Sequence, residues 1–188
     1  MKTKTILLLG MVGAGKGTQA KLLAEKTGYR TFSSGVYYRE LSKQDTAVGR
    51  KTADLIDRGI LMPEWFHEYV MQDVLFNLSS DEGIILDSVA KKLSEAKVFH
   101  RAMEWLGRDY VVLNFNLSEA IAQERLSKRY GEEGRQDDRS GSIPRRFEEY
   151  RAHTLPSIEY FRELGKVIDI NADQTREAVH AEVLAKLE

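Results

Sequence analysis

Nine consecutive residues near the N-terminus, Gly10-Met11-Val12-Gly13-Ala14-Gly15-Lys16-Gly17-Thr18, limit what this chain can fold into more than any other stretch. They follow an apolar run of strand length, residues 5–9, and precede residues 19–26, where Ala20, Leu22, Leu23 and Ala24 recur on a helical period. A strand that passes into a helix through so many glycines can turn its backbone N–H groups inward, because no side chains block them. The helix N-terminus adds positive potential at the same place. Lys16 stands where an ammonium reaches the outermost phosphates. The strict pattern wants Ser or Thr directly after the lysine; here Gly17 holds that place and Thr18 follows. The layout predicts an α/β fold with a cradle for the phosphates of a nucleoside triphosphate.

A chain of 188 residues suits one well-buried domain, so residues 1–188 are read as a single unit. A formal net charge of −1 gives no global attraction to nucleic acid or to an anionic membrane. The absence of cysteine excludes disulfides, thiolate zinc sites and cysteine nucleophiles, and suits a reducing compartment. Lys2 and Lys4 precede an apolar run too short for the core of a signal peptide, and no stretch approaches a membrane span. The expectation is a cytoplasmic, monomeric enzyme whose partners are small molecules, with neither nucleic acid nor membrane among them.

Strands are predicted at 5–9, 30–33, 83–87, 110–117 and 166–170, alternating with helical stretches. Residues 6–9 and 84–86 are continuous apolar runs, as central parallel strands covered on both faces require. The pattern implies a three-layer fold with a five-stranded parallel sheet and helices on both sides. Ligands of such sheets lie beyond the C-terminal strand ends, which would gather Gly10, Ser34 and Asp87 on one rim.

Two stretches interrupt the alternation. Residues 34–79 hold several helical runs with no strand between them, one at 46–58 and another opening at Pro63, whose fixed φ suits a first helical turn. This reads as a small helical insert. Residues 131–141 are glycine-rich and highly charged, with the length and composition of an active-site lid. Ser142 is expected to cap the next helix, with Pro144 in its first turn, and Pro156 to kink or end it.

Arg125 and Arg129, four apart on a predicted helix, share a face and repel by roughly 0.2–0.5 kcal/mol. Arg135, Arg139, Arg145 and Arg146 follow. Any one alone reads as a solvated surface charge beside the neighbouring acids. The set, next to a phosphate cradle, reads as phosphate recognition, since guanidinium forks match phosphoryl oxygens bidentately. Asp87, ending an apolar strand, is either a turn residue or a group that reaches the nucleotide's Mg²⁺, with Thr18 as its hydroxyl companion.

These residues together resemble the adenylate kinases and related nucleoside monophosphate kinases over nearly the whole chain. The signature Gly-Xaa-Xaa-Gly-Xaa-Gly-Lys-Gly-Thr-Gln is intact from Gly10 to Gln19, and its Gly-Thr accounts for the departure at residue 17. Ser33-Ser34-Gly35 followed by Arg39 is similar to the family's acceptor-binding turn and phosphate-binding arginine. Gly59-Ile60-Leu61-Met62-Pro63 is similar to the segment that lines the acceptor base. Residues 124–129 match the helix whose arginines, here Arg125 and Arg129, stack on the ATP base and bind its phosphates. Arg135-Gln136-Asp137-Asp138, then Arg146, match the short-lid pattern in which both arginines bridge the two substrates; Tyr150, Thr154 and Pro156 follow at family spacing.

The resemblance implies transfer of ATP's γ-phosphoryl group to a nucleoside monophosphate, AMP first, with Mg²⁺ held through Thr18 and Asp87. It also implies a helical acceptor insert at 33–62 and a short lid at 130–141. ATP would be held by Gly13, Ala14, Gly15, Lys16, Gly17, Thr18, Arg125 and Arg129. The acceptor would be held by Ser34, Gly35, Arg39, Ile60, Leu61, Met62, Ser88, Lys91, Glu95, Arg135 and Arg146. Catalysis would be positioning and charge stabilisation by Lys16, Arg129, Arg135 and Arg146, without a covalent intermediate.

The family pattern breaks in one place. Where Gly-Phe-Pro-Arg and a later Gln are usual, Leu86-Asp87 continues with Ser88-Val89-Ala90-Lys91, and Glu95 holds the Gln place. Lys91 keeps the charge of the acceptor-phosphate arginine and loses its fork. Ser88 adds a side chain where the family brings backbone to the base, and Val36 stands where an Asp is common. An ionised Glu95 can only accept hydrogen bonds, which opposes adenine N1 and suits guanine's donors. Glu95 is therefore either a base reader that brings GMP into question, or a solvent-facing helix residue. The four histidines show no metal-ligand spacing and are expected to be structural or superficial. Trp65 and Trp105 are expected to pack, and Tyr37-Tyr38 either to border the base or to pack. Two other readings stay open: a nucleotide-binding homologue with weakened transfer, and a P-loop kinase of a non-nucleotide metabolite.

Overall fold

The computed structural model describes residues 3–134, 138 and 141–187. Its five strands are β1 (Thr5–Gly10), β2 (Arg30–Ser33), β3 (Ile84–Asp87), β4 (Tyr110–Asn116) and β5 (Val167–Asn171). All pair in parallel, in the order β2-β3-β1-β4-β5. Each boundary falls within one residue of the predicted one, because the apolar runs are bounded by polar or glycine-containing turns.

The helices are α1 (Lys16–Thr27), α2 (Ser34–Ser42), α3 (Ala47–Asp57), α4 (Glu64–Phe76), α5 (Leu93–Trp105), α6 (Glu119–Glu133), α7 (Ile143–Glu149), α8 (Leu155–Glu163) and α9 (Arg176–Leu187). They cover both faces of the sheet. Ile6 and Leu8 of β1 join Leu23 of α1 and Val183 of α9 on one face. Leu7 and Leu9 join Met71 of α4, Phe99 of α5 and Phe161 of α8 on the other. β1 is central, so both of its side-chain rows are buried and the strand period of two disappears from the sequence.

α2 and α3 form the helical pair between β2 and α4. Thr46 caps α3, its hydroxyl accepting the Gly49 N–H at 3.0 Å. Four local expectations are corrected. Pro63 is the N-cap of α4 with extended ψ rather than a residue of its first turn. α6 runs to Glu133, so the start of the predicted lid is helical: Ala122 and Leu126 anchor the helix in the core, and Gly134, at φ 63°, ends it. The Ser142 hydroxyl makes no cap bond to α7. Trp65 and Trp105 are 72% and 79% exposed, each with a ring neighbour, Phe66 for Trp65 and Phe76 for Trp105. α7 passes into α8 through one π turn, Tyr150–Thr154, where the Leu155 N–H reaches back to the Tyr150 carbonyl. Pro156, which has no N–H to continue the ladder, follows directly.

Candidate active site

The C-terminal ends of β1, β2 and β3 open into one cavity of about 740 Å3. β1 ends at Gly10, φ 122°, where a Cβ would lie 2.3 Å from the Phe115 carbonyl oxygen; only glycine lets the loop leave the strand here. The loop delivers Gly15 as the N-cap of α1, with no side-chain cap and no acidic residue in the first turn. That helix end therefore keeps its positive potential for an anion. The Lys16 ammonium arches back over the loop, donating to the carbonyls of Gly10 at 3.0 Å and Met11 at 2.8 Å. Burial lowers its pKa to about 8; Asp87 pulls it up, and Lys91, Arg146 and Arg129 push it down. Gln19 faces away from the loop, its amide donating to the Arg176 carbonyl at 2.9 Å and so tying α1 to α9.

Of the predicted ATP-side residues, Gly13, Gly15, Lys16, Gly17, Thr18 and Arg129 line the cavity. Ala14 is buried beneath the loop. Arg125 lies outside the lining and donates to the carbonyls of Ala172 and Gln174. Arg135 and Arg139 lie outside the described residues. Arg145, half exposed, pairs with the exposed Glu148 and with the buried Glu149, neighbouring acids as its individual reading expects. Every predicted acceptor-side residue among the described ones lines the same cavity: Ser34, Gly35, Arg39, Ile60, Leu61, Met62, Ser88, Lys91, Glu95 and Arg146.

Asp87 accepts the Ser33 hydroxyl at 2.9 Å and the Ser88 hydroxyl at 2.9 Å. A Cβ on Gly17 would lie 3.6 Å from its Oδ2, so the carboxylate faces the first turn of α1. Among the described residues no three His, Cys, Asp or Glu side chains form a metal-binding group. One carboxylate and the Thr18 hydroxyl on the same cavity wall still fit a magnesium ion carried mainly by phosphates and water.

The departing segment 88–91 is held in an unusual shape. Ser88 and Ala90 have φ of 63° and 53°, which costs roughly 1–3 kcal/mol each for a non-glycine residue. Surrounding hydrogen bonds compensate. The Ser34 hydroxyl donates to the Ser88 carbonyl at 2.6 Å, and the Ser157 hydroxyl to the Ala90 carbonyl at 2.6 Å. The Ala90 N–H donates to His67 Nε2 at 3.2 Å, so that nitrogen carries a lone pair. Its partner Nδ1 then holds the ring proton and donates to the Tyr38 hydroxyl oxygen at 2.8 Å. Burial pushes the His67 pKa down to about 3, helped by Lys91 and Lys92, and the ring stays neutral. Both residues line the cavity. The structural role expected of His67 is thus real, and it acts on the 88–91 segment.

Glu95 is 2% exposed, which removes the solvent-facing alternative. Its Oε2 accepts the Lys92 N–H at 3.0 Å, satisfying one free donor at the start of α5; the Lys92 ammonium has no acceptor to return the bond. Burial raises its pKa to about 7, against the backbone N–H of Lys92 and the charges of Lys91 and Lys92. The carboxyl ordinarily titrates near 4.5, so this group's contribution to stability is full below 4.5 and is lost as pH rises through 7. Glu95→Gln keeps the cap acceptor without the titration. Relative to wild type it is expected to gain about 3 kcal/mol between pH 4.5 and 8, read as diverging urea midpoints.

Across the cavity, Asp138 is 1% exposed and holds two cations. Its Oδ2 accepts Arg129 Nε at 2.5 Å; its Oδ1 accepts Arg129 Nη2 at 2.7 Å and Arg146 Nη1 at 2.6 Å. Burial pushes this carboxyl up, and the two guanidiniums outweigh it and hold the pKa low.

A parallel sheet whose central strand empties into a phosphate cradle defines the class: this is a P-loop nucleotide-binding protein of the α/β kind. The family model described as adenylate kinase matches residues 8–166. The chain is 38% identical over 183 residues to an adenylate kinase of Mycobacterium tuberculosis, covering 97% of this chain and 98% of that one. It is 37% identical to an adenylate kinase of Mycobacterium leprae over the same shares. It is 33% identical to adenylate kinase 1 of Nostoc sp., covering 97% of each. The chain belongs to the adenylate kinase family and is a nucleoside monophosphate kinase.

Proposed function

We propose that the protein transfers the γ-phosphoryl group of ATP to AMP, giving two molecules of ADP. The observation that carries this reading is a single cavity lined at one wall by the glycine loop and at the other by Arg39, Ile60–Met62 and the 88–95 segment. The loop N–H groups and Lys16 hold the β- and γ-phosphates, and Arg39 with Lys91 holds the acceptor phosphate. Arg129 and Arg146 reach the transferring group, joined in this reading by Arg135. The oxygens of an in-line transfer carry spread negative charge, and fixed cations in a water-poor cleft stabilise it without reorganising. Thr18 and Asp87 would hold Mg²⁺, which when bound neutralises the triphosphate. Arg125, by bracing the loop after β5, shapes the seat of the ATP base.

In this reading residues 33–62 are the acceptor insert and residues 130–141 the lid whose closure excludes water and suppresses ATP hydrolysis. Among the described residues no helix is long and apolar enough to cross a membrane. A cytoplasmic monomer acting on small molecules is the setting proposed for it. The test is a panel of AMP, GMP, CMP, UMP and dAMP with MgATP at pH 6.5. AMP is expected to give the highest kcat/KM; ATP turnover unchanged by every monophosphate would overturn the reading.

A further inference from the structure

We propose that Glu95 selects the acceptor base through its protonation state, reading adenine when the carboxyl carries a proton and guanine when it is ionised. The inference rests on the nucleoside monophosphate kinase reading and adds a second acceptor under stated conditions. Its ground is the geometry of the acceptor wall. Glu95 lines the cavity beside Met62 and the 88–91 segment, with almost no exposure to solvent. Oε2 is committed to the Lys92 N–H in either ionisation state. The other oxygen then decides what the carboxyl offers a base: a donated hydrogen bond with the proton present, an accepted one without it. Adenine presents an acceptor at N1, and guanine presents an N1–H donor. One proton therefore inverts the match.

The surroundings leave that proton undecided near neutrality. From α4, His67 Nε2 stands 3.8 Å from Oε2. It is not a cationic partner, because its lone pair takes the Ala90 N–H. From α2, the Tyr38 hydroxyl accepts from the same imidazole and stays un-ionised, its pKa raised by burial and by Glu95. Lys92 turns its ammonium to the Met62 carbonyl at 3.1 Å, with Glu64 at 4.0 Å. Lys91 is itself pushed down by burial, and its charge is shared with Asp87. Desolvation of the carboxylate thus outweighs the backbone N–H groups of Lys92 and Lys91 and the attraction of the two lysines, leaving the midpoint at about 7.

The experiment is the ratio of kcat/KM for AMP to that for GMP, measured on the full chain from pH 6 to 8.5. This quantity reports ionisations of the free enzyme. The monophosphate, Lys16 and Lys91 titrate alike with either acceptor, so they cancel in the ratio. With a midpoint of about 7, and each state reading one base, the ratio is expected to fall about 100-fold between pH 6 and 8. Glu95→Gln should hold it flat and in favour of AMP. A flat wild-type ratio, or a pH-dependent one that survives in Glu95→Gln, overturns the inference while leaving the kinase reading intact. Failure of both acceptors at every pH removes the kinase reading and this inference with it.

Discussion

Lys16→Met is expected to lower kcat by about 10³-fold, equivalent to about 4 kcal/mol of transition-state stabilisation, while leaving the thermal midpoint almost unchanged. The separation follows from what the ammonium does. In the free protein it bonds two loop carbonyls. Burial works against its charge strongly enough to lower its pKa to about 8. Removing it forfeits two hydrogen bonds and relieves a desolvated cation, and these effects oppose each other. In the transition state nothing else in the loop supplies a full positive charge to the migrating group. A coupled assay beside a melting curve checks both halves. A variant that loses activity only in proportion to its loss of folded protein would show that Lys16 is structural.

Asp138→Ala is expected to destabilise the protein by about 3 kcal/mol, seen as a lower urea midpoint at unchanged m-value. The carboxylate bridges Arg129 on α6 to Arg146 on α7, and its removal takes a buried counter-charge from both guanidiniums. A multiply charged anion can replace it. Adding ATP should therefore recover more stability in Asp138→Ala than in wild type, whereas a loss unaffected by ATP would show that only packing had been removed. Asp138→Asn, which keeps the shape and drops the charge, should fall between the two.

Both predictions draw on residues of different legibility. Lys16 was readable at once, because the cradle is local: strand, glycines, lysine and helix lie within two dozen residues, and the apolar run before them is continuous. The strands were readable for the same reason. The end of α6 was not. Its last turn is rich in charge and contains Gly131, which reads as loop, but Ala122 and Leu126 bury one face and Lys128–Glu132 supports the other. Asp138 reads in the sequence as part of the short-lid pattern and as one of the acids beside the arginines; that it joins two helices depends on their packing.

The cavity wall around Glu95 was the least legible part. Tyr38, His67, Ala90 and Glu95 lie in four separate segments, and no spacing rule links them. The sequence marks Glu95 and the 88–91 segment as exceptions to a pattern, and His67 as an ordinary histidine. Positive φ at Ser88 and Ala90 contradicts local propensity and is imposed by bonds from residues 34, 67 and 157. The exposed tryptophans missed in the other direction: a period shows which side chains share a face, not whether anything covers it.

The glycine that closes the exit of α3 has one more consequence. A Cβ on Gly59 would stand 2.9 Å from the Ser142 carbonyl and 3.1 Å from Cγ of Arg146. The strip 59–62 thus rests directly on the helix that carries Arg146. The halves of the reaction cleft share a bearing surface, so neither can shift without loading the other. Where binding at one seat moves this contact, the affinity of the second changes, and thermodynamic reciprocity requires the same factor in both directions.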